Sequence, residues 1–107
     1  MDAVFRALAN RHRRRILDLL RAQPGSSVQD VADVLPFSRI GVMKHLSVLD
    51  RAGLIHSVRV GRKRLLYFNS VPIQMIHDRW TTEYSAFWAS QLADVKYRVE
   101  SRRKRRA

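Results

Sequence analysis

The chain has 107 residues, and 21 Lys or Arg against 9 Asp or Glu give a formal net charge of +12 at pH 7. So large a cationic excess predicts a polyanionic partner, either nucleic acid or an anionic membrane surface. The absence of cysteine excludes disulfides, thiolate metal sites and cysteine nucleophiles. No apolar run reaches the ~18–20 residues that span a bilayer, and the start does not resemble a signal peptide. We therefore expect a cytoplasmic protein with no membrane partner.

Three short helices are predicted in the first third of the chain. Apolar residues on one side predict a helix over Asp2–Leu8, and a second helix, capped by Asn10, over residues 11 to about 22. A cluster of helix breakers follows and ends at Ser27. Ser27 is the expected cap of a third helix over residues 28–35.

A dense basic run opens the second predicted helix. Its members are Arg11, Arg13, Arg14 and Arg15. Cations at the start of a helix oppose its dipole. The run is interpreted either as a solvated face or as a source of long-range attraction to DNA.

The segment 38–51 is the most informative part of the chain. Ser38 is a good N-cap, and Gly53 supplies the left-handed residue that ends a helix. One apolar stripe runs between them at helical spacing, formed by Val42, Leu46 and Leu49. A short helix, a short turn and a second helix make a helix-turn-helix, so this segment is the candidate recognition helix.

The opposite face of the recognition helix carries cations, a hydroxyl, a thioether and little bulk. Such a face suits a groove with phosphate walls and a floor of base edges. The residues expected to read bases are Arg39, Gly41, Met43 and Ser47. Those expected to meet the DNA backbone are Ser38, Lys44 and His45. Two of these residues have a second interpretation. Gly41 is equally compatible with a glycine that the helix simply tolerates, and His45 is equally compatible with a ring that packs beneath the helix.

Arg39 is the expected guanine reader, because a guanidinium group bonds guanine O6 and N7 bidentately. Lys44 is expected to bind phosphate.

A β-hairpin is predicted after Gly53. Residues 55–60 are β-branched and alternate in polarity, and an apolar run returns at residues 65–68. The intervening turn carries three cations, Arg62, Lys63 and Arg64. A helix-turn-helix followed by such a hairpin is a winged helix, so these cations are expected at the phosphate backbone or in the minor groove.

A long final helix is predicted from Ile73 to about Glu100. At 1.5 Å per residue it would extend about 40 Å, more than the rest of the chain can cover. Monomers rarely expose so large an apolar patch, so we expect a homodimer. The expected interface residues are Val4, Phe5, Leu8, Ile76, Trp80, Tyr84, Phe87 and Trp88.

The overall prediction is a mainly α fold with a small β-hairpin. Residues 1–100 would form one winged helix-turn-helix domain for DNA binding and dimerisation, and residues 101–107 a basic disordered tail.

Several motifs together resemble the ArsR family of bacterial winged-helix repressors. They are Phe5–Asn10, Arg15–Leu20, Val42–Leu46, Leu49–Ile55, and Gly61-Arg62 with Tyr67. The resemblance covers about residues 3–99, with the elements in the family's order. It implies a dimer that binds a palindromic operator and represses transcription. In many members a metal ion or another signal releases the DNA.

The chain departs from the metal-sensing members of that family. They carry a Cys-x-Cys pair in the helix before the recognition helix, whereas residues 28–35 contain no thiol here. Other members use Asp, His and Glu on the last helix, but His77 and Glu83 would lie roughly 120° apart around a helix. The resemblance is therefore to a branch without the cysteine motif, and we expect no metal site and no cofactor. Met43 also replaces a small hydroxyl residue that is common in the family.

The leading functional hypothesis is a dimeric, sequence-specific repressor that recognises an inverted repeat, with its recognition helices ~34 Å apart. The alternative is a chromatin-like protein that coats DNA without sequence preference and shows a steep salt dependence. An enzyme is disfavoured, because the sequence has no Gly-rich phosphate loop and no clustered carboxylates. The operator, the regulated genes and any effector stay open.

Overall fold

The structure is a computed structural model that describes the backbone of residues 1–106 and the side chains of residues 1–81 and 87–102. Its elements in chain order are α1 (Asp2–Leu8), α2 (Arg11–Ala22), β1 (Ser26–Ser27), α3 (Val28–Val34), α4 (Arg39–Arg51), β2 (Ile55–Val60), β3 (Lys63–Phe68) and α5 (Val71–Arg106). The predicted winged helix-turn-helix fold, mainly α with a small hairpin, is confirmed. The structure separates Met1–Gln74 from the remainder of α5 as two compact units. The single functional domain over residues 1–100 stays a prediction.

The predicted caps of the first helices are present. The Asn10 side chain accepts hydrogen bonds from the backbone N–H groups of His12 and Arg13, at 2.9 and 3.1 Å. Ser27 caps α3 by accepting from the Asp30 N–H at 3.1 Å, and the Asp30 carboxylate accepts from the Ser27 N–H at 2.9 Å. This reciprocal pair is a capping box, and it fixes where α3 starts.

Both ends of α4 are closed by local hydrogen bonds. The Ser38 hydroxyl accepts from the Gly41 N–H at 3.2 Å. At the other end Gly53 has a φ of 74°, and its N–H donates to the Asp50 carbonyl at 2.9 Å. The Leu54 N–H donates to the Leu49 carbonyl at 3.0 Å, which completes a Schellman motif. The cap and the stop read from the sequence are therefore both confirmed.

The core of the first unit gathers apolar side chains from every helix up to α4 and from the sheet. Its fully buried large members are Ile16, Leu20, Val31, Val42, Leu46, Leu49, Leu54 and Leu66. The stripe predicted on α4 lies entirely within it.

The sheet has three antiparallel strands in the order β1-β3-β2, one more than the predicted hairpin. Ser26 pairs with Leu66 and Ser27 with Leu65. The Gly25 N–H also donates to the Leu66 carbonyl, at 2.9 Å. Two serines among turn residues give no alternating apolar pattern, so this strand was interpreted only as part of a breaker cluster.

The turn of the wing is shorter than predicted. Val60 pairs with Lys63, so only Gly61 and Arg62 form the loop. Gly61 has a φ of 62°, as a type II′ turn requires at its first central position. Lys63 and Arg64 therefore lie on β3 rather than at the tip. The sequence placed them in the turn because charged residues interrupt the apolar pattern by which a strand is recognised.

Helix α5 is longer than predicted at both ends. It begins at Val71, whose N–H donates to Asn69 Oδ1 at 3.2 Å, rather than at Ile73. It also continues through Arg106, where a disordered tail was expected from residue 101. Lys and Arg have good helix propensity, and extending an existing helix needs no new nucleus.

Leu66 lies in the central strand and is 0 % exposed, so it offers a direct test of the core. We expect Leu66→Ala to lower the free energy of unfolding by about 3 kcal/mol, because it leaves a cavity. The neighbouring Leu65→Ala, on the half-buried face of the same strand, is the matched control and should cost about 1 kcal/mol. Chemical denaturation measures both, and equal losses would contradict this assignment of the two faces of β3.

Candidate nucleic-acid interface

The outward face of α4 is formed by side chains at helical spacing opposite the buried stripe. Arg39, Met43 and Ser47 follow each other at four-residue steps, and all three are exposed, as is Lys44. Ile40, in the first turn, is 72 % exposed and was not singled out in the sequence. An exposed apolar group at this position can contact a thymine methyl group.

A groove of about 520 Å³ joins the start of α4 to the wing. It is lined by Ser27, Val28, Gln29, Asp30, Arg39, Met43, Arg59, Arg62, Lys63 and Arg64. Two expected base readers and all three expected wing cations therefore lie around one concavity. The start of α3 and Arg59 complete it, and sequence reasoning missed them. The alternation of β2 was a usable signal for Arg59, because it places this cation on the same face of the hairpin as Arg64.

The wing brings several positive charges close together, and their mutual repulsion is unfavourable while no anion is bound. Arg59 and Arg64 are directly opposite each other on β2 and β3, and like charges in such a pair are destabilising. Arg64 Nε donates to Ser57 Oγ at 2.9 Å, which holds its side chain along the sheet. Arg62 and Lys63 extend the same positive surface. A polyanion placed in the groove would relieve this repulsion.

Asp30 is the one carboxylate among the residues that line the groove. The hydrogen bond from the Ser27 N–H lowers the pKa of Asp30, and the nearby charge of Lys63 acts in the same direction. Asp30 therefore stays ionised and partly offsets Lys63.

The guanidinium group of Arg39 is held from the neighbouring helix. Its Nη1 donates to Gln29 Oε1 at 3.2 Å, and Gln29 Nε2 donates to Asp33 Oδ1 at 2.8 Å. The side chain is thus oriented at the edge of the groove before any DNA is bound.

Gly41 has a packing role rather than a place on the outward face. A Cβ atom at this position would lie 3.2 Å from the Cβ of Phe37, a tight contact. The missing side chain lets the first turn of α4 pack closely on Phe37. This packing accounts for the glycine without any contact to DNA, and its part in base reading stays a prediction.

His45 packs beneath the start of α4. Its ring lies 5.2 Å from that of Phe37, which meets His12 edge-on at 4.6 Å, and Arg13 Nη1 donates to His45 Nδ1 at 3.4 Å. Burial lowers the pKa of His45, and the charges of Arg13 and His12 lower it further. The contacts favour the alternative interpretation, a ring packed under the helix, and the phosphate contact of His45 stays a prediction.

The basic run at the start of α2 closes the end of α1. Arg13 donates from Nε to the Ala7 carbonyl at 2.9 Å and from Nη2 to the Arg6 carbonyl at 2.8 Å. Arg14 Nη1 donates to the Leu8 carbonyl at 2.7 Å. Cations are favourable at the C-terminus of a helix, so two of these arginines have a structural role that neither interpretation of the run foresaw.

The expected dimer residues differ in their exposure. On α1, Phe5 is exposed and Leu8 half-buried, but Val4 is only 7 % exposed and packs in its own chain's core, which corrects its assignment to an interface. In the sequence, an apolar helix face that packs inside its own chain has the same pattern as one that packs against a second chain. On α5, Ile76 is half-buried, and Trp80, Phe87 and Trp88 are each more than half exposed. The side chain of Tyr84 lies outside the described residues.

Metal sites and membrane-spanning helices are two further features that such a chain could carry. No group of three or more His, Asp or Glu side chains within residues 1–81 and 87–102 could hold a metal ion. No helix within the described part of the chain is long and apolar enough to cross a membrane.

A capped recognition helix beside a basic wing defines a winged helix-turn-helix DNA-binding protein. Similarity to known proteins supports this class. A helix-turn-helix domain family matches residues 8–58. The HTH-type transcriptional regulator YuzN of Bacillus subtilis is 36 % identical over 85 residues, which cover 74 % of this chain and 92 % of that protein. The HTH-type transcriptional regulator Rv2034 of Mycobacterium tuberculosis is 29 % identical over 94 % of this chain and 89 % of its own.

The solved structure of an ArsR-like transcriptional regulator from Rhodococcus sp. RHA1 superposes with a TM-score of 0.68. It is 34 % identical, and the match covers 94 % of this chain and 90 % of that one. The chain belongs to the ArsR family of helix-turn-helix transcriptional regulators. It is accordingly a sequence-specific DNA-binding regulator of transcription, and its relatives are regulators rather than enzymes.

The lowered pKa of His45 gives the fold a pH dependence of known sign. As the pH falls below 6.5, the ordinary value for histidine, the unfolded chain takes up a proton before the folded chain does. This contribution to the free energy of unfolding is therefore complete above pH 6.5 and is lost as the pH falls through the lowered, folded-state pKa. We expect His45→Gln to flatten the loss of stability that sets in as the pH falls below 6.5.

Urea unfolding at a series of pH values measures this effect. His56→Gln, on the exposed side of β2, is the matched control and should leave the His45 component of the pH dependence in place. Identical pH profiles for the parent and His45→Gln would contradict the packed, neutral histidine.

Proposed function

We propose that this chain is a dimeric transcriptional repressor that binds an inverted-repeat operator and does not sense metals. The groove carries this proposal, because it brings Arg39 and Met43 of α4 into one surface with the cations of the wing. A recognition helix in the major groove would bring the wing to the flanking backbone.

The two parts of the surface have different tasks. Arg39, Met43 and Ser47 present varied chemistry toward base edges, whereas Arg62, Lys63 and Lys44 are exposed cations suited to phosphates. Arg59 and Arg64 add to the phosphate-binding group. Repression follows where such an operator overlaps a promoter. A regulator of this kind acts in the cytoplasm, on the DNA of the nucleoid.

Dimerisation is supported by the exposed aromatic stripe on α5. Trp80, Phe87 and Trp88 are 53, 55 and 58 % exposed, and Leu92, Val95 and Val99 continue the stripe. Because aromatic side chains contribute strongly to association, this stripe fits a second copy of the same helix. A dimer with two-fold symmetry reads two half-sites about one DNA turn, ~34 Å, apart.

Metal sensing through thiolates is excluded by the lack of cysteine. Any signal that releases the DNA must therefore act by another chemistry.

A sequence-neutral DNA-coating protein is the second candidate, favoured by the net charge of +12. Such a protein would need only surface cations to bind DNA. The closed ends of α4 and the oriented Arg39 favour sequence reading instead.

Selection of bound sequences from random duplex DNA, at ~150 mM salt with and without EDTA, separates the two candidates. The repressor predicts an enriched inverted repeat with half-site centres about ten base pairs apart, unchanged by EDTA. Flat enrichment would favour the coating protein, and loss of the repeat in EDTA would show a metal requirement.

Two variants test the division between base-reading residues and phosphate-binding residues. Arg39→Ala should relax the preference at one base position and cost about 1–3 kcal/mol on the operator. Replacing Arg62 and Lys63 with Ala should weaken binding to all DNA alike and flatten the salt slope by up to ~2 units. Fluorescence anisotropy on operator and scrambled duplexes measures both, and indistinguishable behaviour would refute the division.

The stripe on α5 is tested by Trp88→Ala, which should weaken the dimer by about 2 kcal/mol. Tyr97→Ala is a matched control, because Tyr97 is 71 % exposed and lies nine residues away, about 180° around the helix. Sedimentation over a dilution series measures both. A dimer that responds equally to both substitutions, or to neither, would place the interface elsewhere.

A further inference from the structure

A hydrogen-bonded chain of three side chains crosses from α3 to α4 at the edge of the groove. Asp33 accepts from Gln29 at 2.8 Å, and Gln29 in turn accepts from Arg39 at 3.2 Å. Asp33 and Gln29 lie one turn apart on α3. Neither of them belongs to the recognition helix or to the wing.

The direction of this chain follows from the chemistry of its two ends. A carboxylate only accepts hydrogen bonds, and a guanidinium group only donates them. The Gln29 amide must therefore turn its NH₂ group to Asp33 and its oxygen to Arg39. The charge of Asp33 polarises the amide and strengthens the bond to Arg39.

We propose that Gln29 is a positioning residue that sets the base selectivity of Arg39, and that Asp33 holds Gln29 in place. This inference rests on the proposed function, in which Arg39 reads a base edge. Gln29 engages one of the five N–H donors of Arg39, and a bidentate contact with guanine needs two. A guanidinium group that is already oriented loses less conformational freedom on binding than a free one.

The wing offers an internal comparison. Arg64 is oriented in a similar way, by its 2.9 Å hydrogen bond to Ser57 Oγ. In the wing the expected contact is with phosphate, which carries no sequence information. Removing the Ser57 hydroxyl should therefore weaken binding without altering base preference.

A double-mutant cycle tests the proposal. Gln29→Met, Arg39→Ala and the double variant of the full chain are titrated with the selected operator and with an operator changed at the base that Arg39 reads. We expect Gln29→Met to reduce the discrimination between the two duplexes about fivefold, and to have no further effect once Arg39 is Ala. An equal effect in both backgrounds, or a uniform loss on both duplexes, would show that Gln29 acts on DNA by itself and would overturn the proposal.

Two further variants separate positioning from general damage. Asp33→Asn keeps an acceptor for Gln29 but loses the charge, so it should retain most of the discrimination, whereas Asp33→Ala should lower it further. Ser57→Ala is the matched control and should leave the discrimination unchanged. Unchanged discrimination in Asp33→Ala would refute the role of Asp33.

The outcomes also separate this inference from the proposed function. If Arg39→Ala alters base preference and Gln29→Met does not, only the positioning role is overturned. If Arg39→Ala leaves the preference intact, the reading role of Arg39 fails and the positioning role fails with it.

Discussion

The burial of three side chains on one side of α4 determines what the other side can do. Val42, Leu46 and Leu49 are each at most 2 % exposed. A rotation of α4 by one residue, about 100°, would move them into water at a cost of about 1.5–3 kcal/mol for each side chain. The Ser38 cap and the left-handed Gly53 prevent the helix from sliding along its axis. The outward residues therefore keep a fixed register toward the groove.

A second constraint acts within the groove itself, where like charges are placed together. Arg59 opposes Arg64 across the hairpin, and the ionised Asp30 partly offsets only the nearby Lys63. Under the proposed function, a phosphate bound in the groove would relieve this repulsion. By contrast, Arg13 and Arg14 use their charge on the carbonyl groups at the end of α1. The cations of the chain thus occupy two kinds of position, at the carbonyl groups that end α1 and around the groove.

The sequence was sufficient for the features that depend on local chemistry. The Ser38 cap, the apolar stripe of α4 and the Gly53 stop follow from side-chain type and helical spacing, and all are confirmed. The sequence was insufficient where a residue's role depends on a partner far along the chain. Gly41 is explained by Phe37, and His45 by Arg13 and His12. Strand β1 exists because β3 pairs with it, and Gln29 is linked to the recognition helix because Arg39 reaches it.

The central claim is that α4 reads bases in two successive major grooves while the wings hold the backbone. Dimethyl sulfate footprinting on the selected operator tests it most directly, because this reagent methylates guanine N7 in the major groove. The account predicts guanines protected in two half-sites about ten base pairs apart, with that protection lost in Arg39→Ala. A complex that shields the DNA backbone but leaves every guanine N7 reactive would contradict it.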